Sequence, residues 1–246
     1  MDEQPSGAPC RANGKRRRVA FALALLGALA SCARPTRPPE PLPERVPEAT
    51  ADTRGAQVYT LDPAASKIHI LVYRGGALAR LGHNHVVTSR SVTGRAWLHP
   101  RFERSGFEMT IPVESLIVDD SDDRAAYGKD FPPGIPQKDI EGTKRNMLRA
   151  DVLDAERYPT ISLRSARVSG SMDAPVVTAR ITAKGVSKDI AVPIELAVSG
   201  RSLTASGAFD VLQTELGMKP FSVALGALEV QDRLHLEFEI VAERAS

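Results

Sequence analysis

Apolar and polar residues alternate with a period of two through most of this chain, and that pattern leaves few architectures open. In "FEMTIPV" (107–113), Phe107, Met109, Ile111 and Val113 share one face while Glu108 and Thr110 take the other. "LHLEFEIVA" (234–242) sets Leu234, Leu236, Phe238 and Ile240 against His235, Glu237 and Glu239. Successive side chains of a strand point to opposite faces, so each segment has an oily side and a wet side. The same rhythm recurs in "KIHILVY" (67–73), "GRAWLHP" (94–100), "TISLRSARV" (160–168), "VVTARITA" (176–183), "DIAVPIELAV" (189–198) and "LTASGAFDV" (203–211). Residues 58–61 and 85–92 are shorter additions. "ITAKGVSKDIAVPI" reads as a hairpin turning at Lys184-Gly185-Val186-Ser187. A single helix is predicted, over 137–148. Many short strands with one short helix argue for an antiparallel sandwich or barrel and against βαβ units. Oily faces that all turn one way suit a sheet curled around an apolar interior. Alternation does not distinguish a packed interior from a hollow one, because an eight-stranded barrel can be either.

The N-terminal region follows a different pattern. A basic cluster, Lys15 to Arg18, precedes the apolar run "VAFALALLGALA" (19–30). That run is too short to cross a bilayer, which takes about 20 apolar residues, but it has the length of a secretory h-region. It ends "LASC", which resembles a bacterial lipobox with Cys32 as the acylated residue. Residues 1–31 are therefore expected to be a lipoprotein signal peptide, and Cys32 the lipidation site that anchors the protein to a membrane. From Cys32 the chain runs through six prolines between Pro35 and Pro47. Such a segment buries too little apolar area to offset the entropy of ordering it, so 32–57 reads as an extended tether. The folded domain is expected over 58–246.

Composition narrows the chemistry. The only other cysteine, Cys10, lies in the leader, so the domain has no disulfide, thiolate metal site or cysteine nucleophile. The formal charge of +2 comes from the leader, which has five basic residues against two acidic. The remainder has 27 basic and 28 acidic residues and no basic cluster of the kind nucleic acid requires. No G-x-S-x-G is present, and no carboxylate pair sits in a context that implies a raised pKa, so no enzyme is expected. "DDSDDRAAYG" (119–128) fails the grammar of a calcium loop: counting from Asp120, position 5 is Arg124 and position 6 is not glycine. It reads as an exposed acidic loop. His83 and His85 in "LGHNHVVT" are the candidate metal ligands, since two imidazoles at i and i+2 on a strand share a face. The sequence identifies no third ligand. The bland alternative is a turn with one histidine bonded to backbone and the other solvated.

Three stretches together resemble the YceI-like family of exported lipid-binding proteins: "YTLDPAASKIHILV" (59–72), "NMLRADVLDAERYPTISLRS" (146–165) and "ITAKGVSKDIAVPIELAV" (181–198). "VESLIVDD" (113–120) and "FDVLQTELGM" (209–218) fit the same order more loosely. The resemblance spans about 58–243. It implies a mainly β fold: an antiparallel, eight-stranded, lipocalin-like barrel with one short helix and an elongated apolar cavity for a long isoprenoid or fatty-acyl chain. The cavity residues it implies are Ile68, Ile70, Val72, Phe107, Met109, Ile111, Ile161, Leu163, Leu234, Leu236 and Phe238. No cofactor is required, and a cell-envelope location follows. Two stretches depart from the family pattern. His85-Val86 stand where glycine and phenylalanine are more usual, and 125–142 is an insertion that reads as a lid over a cavity mouth or as a partner surface.

Overall fold

The computed structural model describes residues 52–244. The expected signal peptide, Cys32 and most of the expected tether lie outside the described residues. The chain forms β1 (Gln57–Leu61), β2 (Lys67–Gly75), β3 (His85–Ser89), β4 (Thr93–Leu98), β5 (Gly106–Pro112) and β6 (Ile117–Val118). Two helices follow, α1 (Ser121–Ala125) and α2 (Gln137–Leu148). The long strands β7 (Thr160–Ser171), β8 (Ala174–Ala183), β9 (Val186–Ser199), β10 (Ser202–Leu212) and β12 (Leu228–Glu243) complete the wall, with the short β11 (Ser222–Val223) beside β12.

Every pairing is antiparallel. The order β1-β4-β5-β7-β8-β9-β10-β12 returns to β1 through Thr60↔Glu243 and Leu61↔Ala242, so the sheet closes into a ring of eight. Closure leaves no edge across that ring for another chain to pair with. Three of the eight wall positions are each built from two strands in line. β12 pairs with β1 at its C-terminal end and with β2 along Glu229–Glu239. β4 and β5 continue the β1 half, while β3 and β6 continue the β2 half. The break in 85–92 falls between Ser89 and Thr93, and the break between β1 and β2 is a turn in which the Asp62 carboxylate accepts from Ala64 N and Ala65 N.

The strand faces behave as alternation requires. Tyr59, Leu61, Ile68, Ile111, Ile181, Leu203, Val211 and Ile240 meet in one core inside the ring. The β8–β9 turn is tighter than the four-residue one predicted. Only Lys184 and Gly185 intervene, with φ of 50° and 75°, the two left-handed residues of a type I′ turn whose twist matches that of its flanking strands.

The acidic stretch corrects the sequence reading. It is not an exposed loop: it contains helix α1, capped by the Asp120 carboxylate on Asp122 N and Asp123 N, and it buries Asp119, Asp123 and Arg124. Local composition reads as solvated because the partners lie far off in sequence. Asp123 accepts from Thr88 Oγ1 and from Arg90 at 2.8 Å each. The insertion then lies along the outer wall. Phe131 is buried against Leu71, Val86, Tyr73 and Tyr127, a second small core outside the barrel. Tyr127 Oη donates to Glu237 Oε2 at 2.8 Å and contacts His69 Nδ1 at 2.7 Å. The first half of 125–142 is therefore a buttress on β2 and β3.

Candidate functional site

The barrel is hollow. An apolar cavity of about 340 Å³ runs inside it, within the usual range for small-molecule sites. All eleven residues expected on the cavity wall line it: Ile68, Ile70 and Val72 from β2, Phe107, Met109 and Ile111 from β5, Ile161 and Leu163 from β7, and Leu234, Leu236 and Phe238 from β12. Val177, Ala179 and Ile181 of β8 and Phe209 of β10 extend the same surface. Alternation on those strands carried the same signal.

One end is partly covered by helix α2 and the chain that follows it. Helix α2 packs Ile140, Met147 and Leu148 on the core and lends Thr143 and Asn146 to the cavity wall. Lys144 fixes it by donating to Glu114 O at 2.7 Å and to Leu116 O, and burial pushes its ammonium below its ordinary pKa. After the helix the chain folds back on itself: Leu153 N bonds to Met147 O and Asp154 N to Arg149 O. Val152 and Leu153 thereby become a buried plug in the cavity wall. The Tyr158 ring then lies over the β8–β9 turn, where a Cβ on Gly185 would come within 2.9 Å of it. Two stretches that stand apart in the sequence thus touch, and the turn needs glycine for its left-handed φ and for want of room.

Openness and polarity coincide beside that plug. Arg74 and Glu229 are the exposed lining residues, both where β2 and β12 leave the barrel. Gly82, His83 and His85 join them. The rim is two turns, 76–84 and 219–228, tied by Leu78 N to Ala227 O at 2.6 Å. Leu81 and Leu225 stand exposed on it, and Ala224 and Leu225 hold left-handed φ of 50° and 56°. Farther in, Ser89 Oγ is buried and has no hydrogen-bond partner among the described residues.

His83 and His85 do lie together at this mouth, with ring centroids 6.3 Å apart and planes at 75°. His85 Nδ1 sits 2.6 Å from Asp119 Oδ2, and Asp119 also accepts from Val86 N and Arg124. Burial opposes ionisation of Asp119. The bond and charge of His85, the Val86 amide and Arg124 outweigh it and hold the carboxyl below its ordinary 3.8. Among the described residues no group of three or more His, Cys, Asp or Glu is placed to hold a metal ion. Asp119, the nearby carboxylate, is already committed to Arg124. Sequence reasoning missed Arg74 and the Asp119–His85 pair. Arg74 was within reach of alternation, as the next inward step after Ile68, Ile70 and Val72. The pair was not, because it joins positions 34 residues apart.

Known proteins agree with this geometry. Over most of their length two solved structures share the fold. The crystal structure of Burkholderia cenocepacia BcnA is 18% identical, covers 74% of this chain and 99% of its own, and superposes with a TM-score of 0.55. A polyisoprenoid binding domain from Saccharophagus degradans, implicated in plant cell wall breakdown, is 11% identical, covers 77% and 99%, and gives a TM-score of 0.51. No curated protein matches the chain. A family model described as the YceI-like domain matches residues 59–242, three quarters of the sequence and all but the outermost residues of the closed barrel, and the chain belongs to that family.

Proposed function

We propose that this protein is a non-enzymatic lipid carrier of the cell envelope, holding one long isoprenoid or fatty-acyl chain inside its barrel. The observation that carries this reading is the apolar cavity inside the barrel, whose exposed and charged lining residues gather at one end. A flexible hydrocarbon chain gains about 25 cal/mol for each Å² of apolar surface it removes from water, and a smooth apolar tube maximises that area without demanding a fixed shape. The exposed Leu81 and Leu225 on the rim give such a chain an apolar approach to the mouth. The Saccharophagus domain described as polyisoprenoid-binding supports the ligand class. In the same reading residues 1–31 direct export and Cys32 carries acyl chains. At about 0.8 kcal/mol per buried methylene, two such chains hold the protein stably on a membrane. In a host with two membranes the carrier faces the periplasm from the outer one.

Native mass spectrometry of the purified protein, with organic extraction of a parallel sample, tests the reading. A co-purifying species of lipid mass that extraction recovers is the expected result. A bound metal ion in its place favours a metal centre at His83 and His85. An empty protein that takes up no added lipid refutes the carrier.

A further inference from the structure

The cavity wall changes character along its length, and the change indicates what the ligand carries at its end. Four titratable residues line the cavity, namely Arg74, His83, His85 and Glu229, and all four stand at the open end. We propose that Arg74, His83 and His85 form a receptor for an anionic head group, so that the ligand is an acidic amphiphile: a long-chain carboxylate or a phosphate ester. This rests on the carrier reading and adds the chemistry of the head.

Two of the three basic groups, Arg74 and His85, are held in place by hydrogen bonds, and the His83 ring stands edge-on to that of His85. Arg74 ends the inward row of β2, directly after Ile68, Ile70 and Val72, so its stem continues the apolar wall while its guanidinium reaches the mouth. That guanidinium donates to Gly82 O. The Arg74 amide donates to Asn84 Oδ1 at 3.0 Å, and Asn84 Nδ2 in turn donates to Asp130 O at 2.9 Å. His85 sits opposite Val72, one step deeper. Its Nδ1 is engaged by the buried Asp119, which fixes the ring and places a proton on that nitrogen. Nε2 of His85 and both ring nitrogens of His83 have no hydrogen-bond partner among the described residues, and both rings line the cavity. An acidic head brings its own proton to Nε2 or draws one there from solvent, and either way the contact is charge-assisted, about twice as strong as a neutral one.

Glu229 opposes this arrangement. Its carboxylate lies over the outer turns, with Oε1 3.5 Å from where a Cβ on Gly75 would stand and Oε2 3.8 Å from the equivalent position at Gly226. It is one carboxylate against three basic side chains. The rest of the wall is aliphatic and aromatic apart from the uncharged Ser89, Thr143, Asn146 and Gln213, and it offers a charged head no counter-charge.

The test compares ligands that differ only in the head. The full-length protein is titrated calorimetrically with hexadecanol, palmitate and hexadecyl phosphate, and with geranylgeraniol against geranylgeranyl phosphate. At least one acid should bind about tenfold tighter than its alcohol, a difference of about 1.4 kcal/mol. Palmitate as the tighter acid assigns a carboxylate head, and a phosphate ester assigns a phosphorylated one. Arg74→Gln with His83→Gln, both clear of the buried network, should cut the preference of acid over alcohol, measured within the same variant, below threefold. Ser89→Ala should leave it intact. If alcohols bind and acids gain nothing, the head receptor is wrong while the carrier stands. If the preference survives the double variant, these residues are not the receptor. If no chain binds at all, both readings fail.

Discussion

Asp119→Ala is the sharpest test of how the mouth is held. The Asp119 side chain is 0% and the Arg124 side chain 2% exposed, so the variant strands a guanidinium where water scarcely reaches. Breaking a buried ion pair from one side costs about 3–5 kcal/mol, because the surviving charge keeps its desolvation penalty and loses its partner. Arg124 still donates to Asn84 O at 2.8 Å and to Pro132 O at 2.7 and 3.1 Å, which holds the loss to the lower part of that range. The Val86 amide and His85 Nδ1 lose their acceptor as well. Arg124→Met in the Asp119→Ala background removes the stranded charge, so the double variant should recover about 1–3 kcal/mol relative to the sum of the singles. Urea unfolding followed by circular dichroism measures all four corners of the cycle. The loss in Asp119→Ala should persist in about 1 M salt, since a buried pair is screened far less than a surface one. Additive single effects, or a loss that salt abolishes, would refute a buried pair.

Gly185→Val should cost about 2–4 kcal/mol in urea unfolding, from the left-handed backbone and the collision with Tyr158, and Tyr158→Ala should relieve part of it. A neutral Gly185→Val would mean that the plug and the hairpin do not touch. Phe107→Asp places a charge on the cavity wall and should cost several kcal/mol and empty the barrel of lipid, whereas a stable protein that retains its lipid would show that face is not the wall. Cys32→Ser should abolish acyl labelling, and unchanged labelling would remove the anchor from the proposal. Burial opposes ionisation of Asp119 and Asp123, but their partners (Thr88, Arg90 and His69 at Asp123) prevail, and both carboxyls are lowered. A carboxyl lowered on folding contributes stability that is complete above its unfolded value of about 3.9 and disappears as pH falls through the folded value. The urea midpoint should therefore drop below about pH 4, less steeply in Asp123→Asn, and identical acid slopes in the two proteins would contradict this.

Alternation exposed the wall of the barrel because each strand's environment is written in its own residues. Phe107, Met109 and Ile111 face inward whatever lies across the cavity from them. The plug helix was legible for the same reason, and its predicted span matches α2. What stayed hidden depends on residues far apart. "DDSDDR" reads as solvated until Thr88, Arg90 and Asn84 are placed around it, and the first half of the insertion reads as part of a lid or partner surface until Phe131 finds Leu71 and Val86 on the outer wall. Hollowness is hidden in the same way, since it is set by the summed side-chain volume of eight strands.

The mouth lies between these two cases. The inward row of β2 reads Ile68, Ile70, Val72, Arg74, and that of β3, taken toward the same end, reads Ser89, Val87, His85. Pairing sets Ile70 against Val87 and Val72 against His85, so both rows turn from apolar to basic within one step of each other. A packed barrel would bury those last positions and demand counter-charges for both. Asp119 answers only for His85 and Arg124, and the Arg74 guanidinium has one acceptor among the described residues, Gly82 O. In the proposed carrier that end stays open to admit a chain, and water solvates the exposed Arg74 there until a head group binds. The reversal of polarity at the ends of two adjacent rows therefore marks the entrance. It is a sequence signal that can be read once closure of the barrel fixes which ends of the strands lie together.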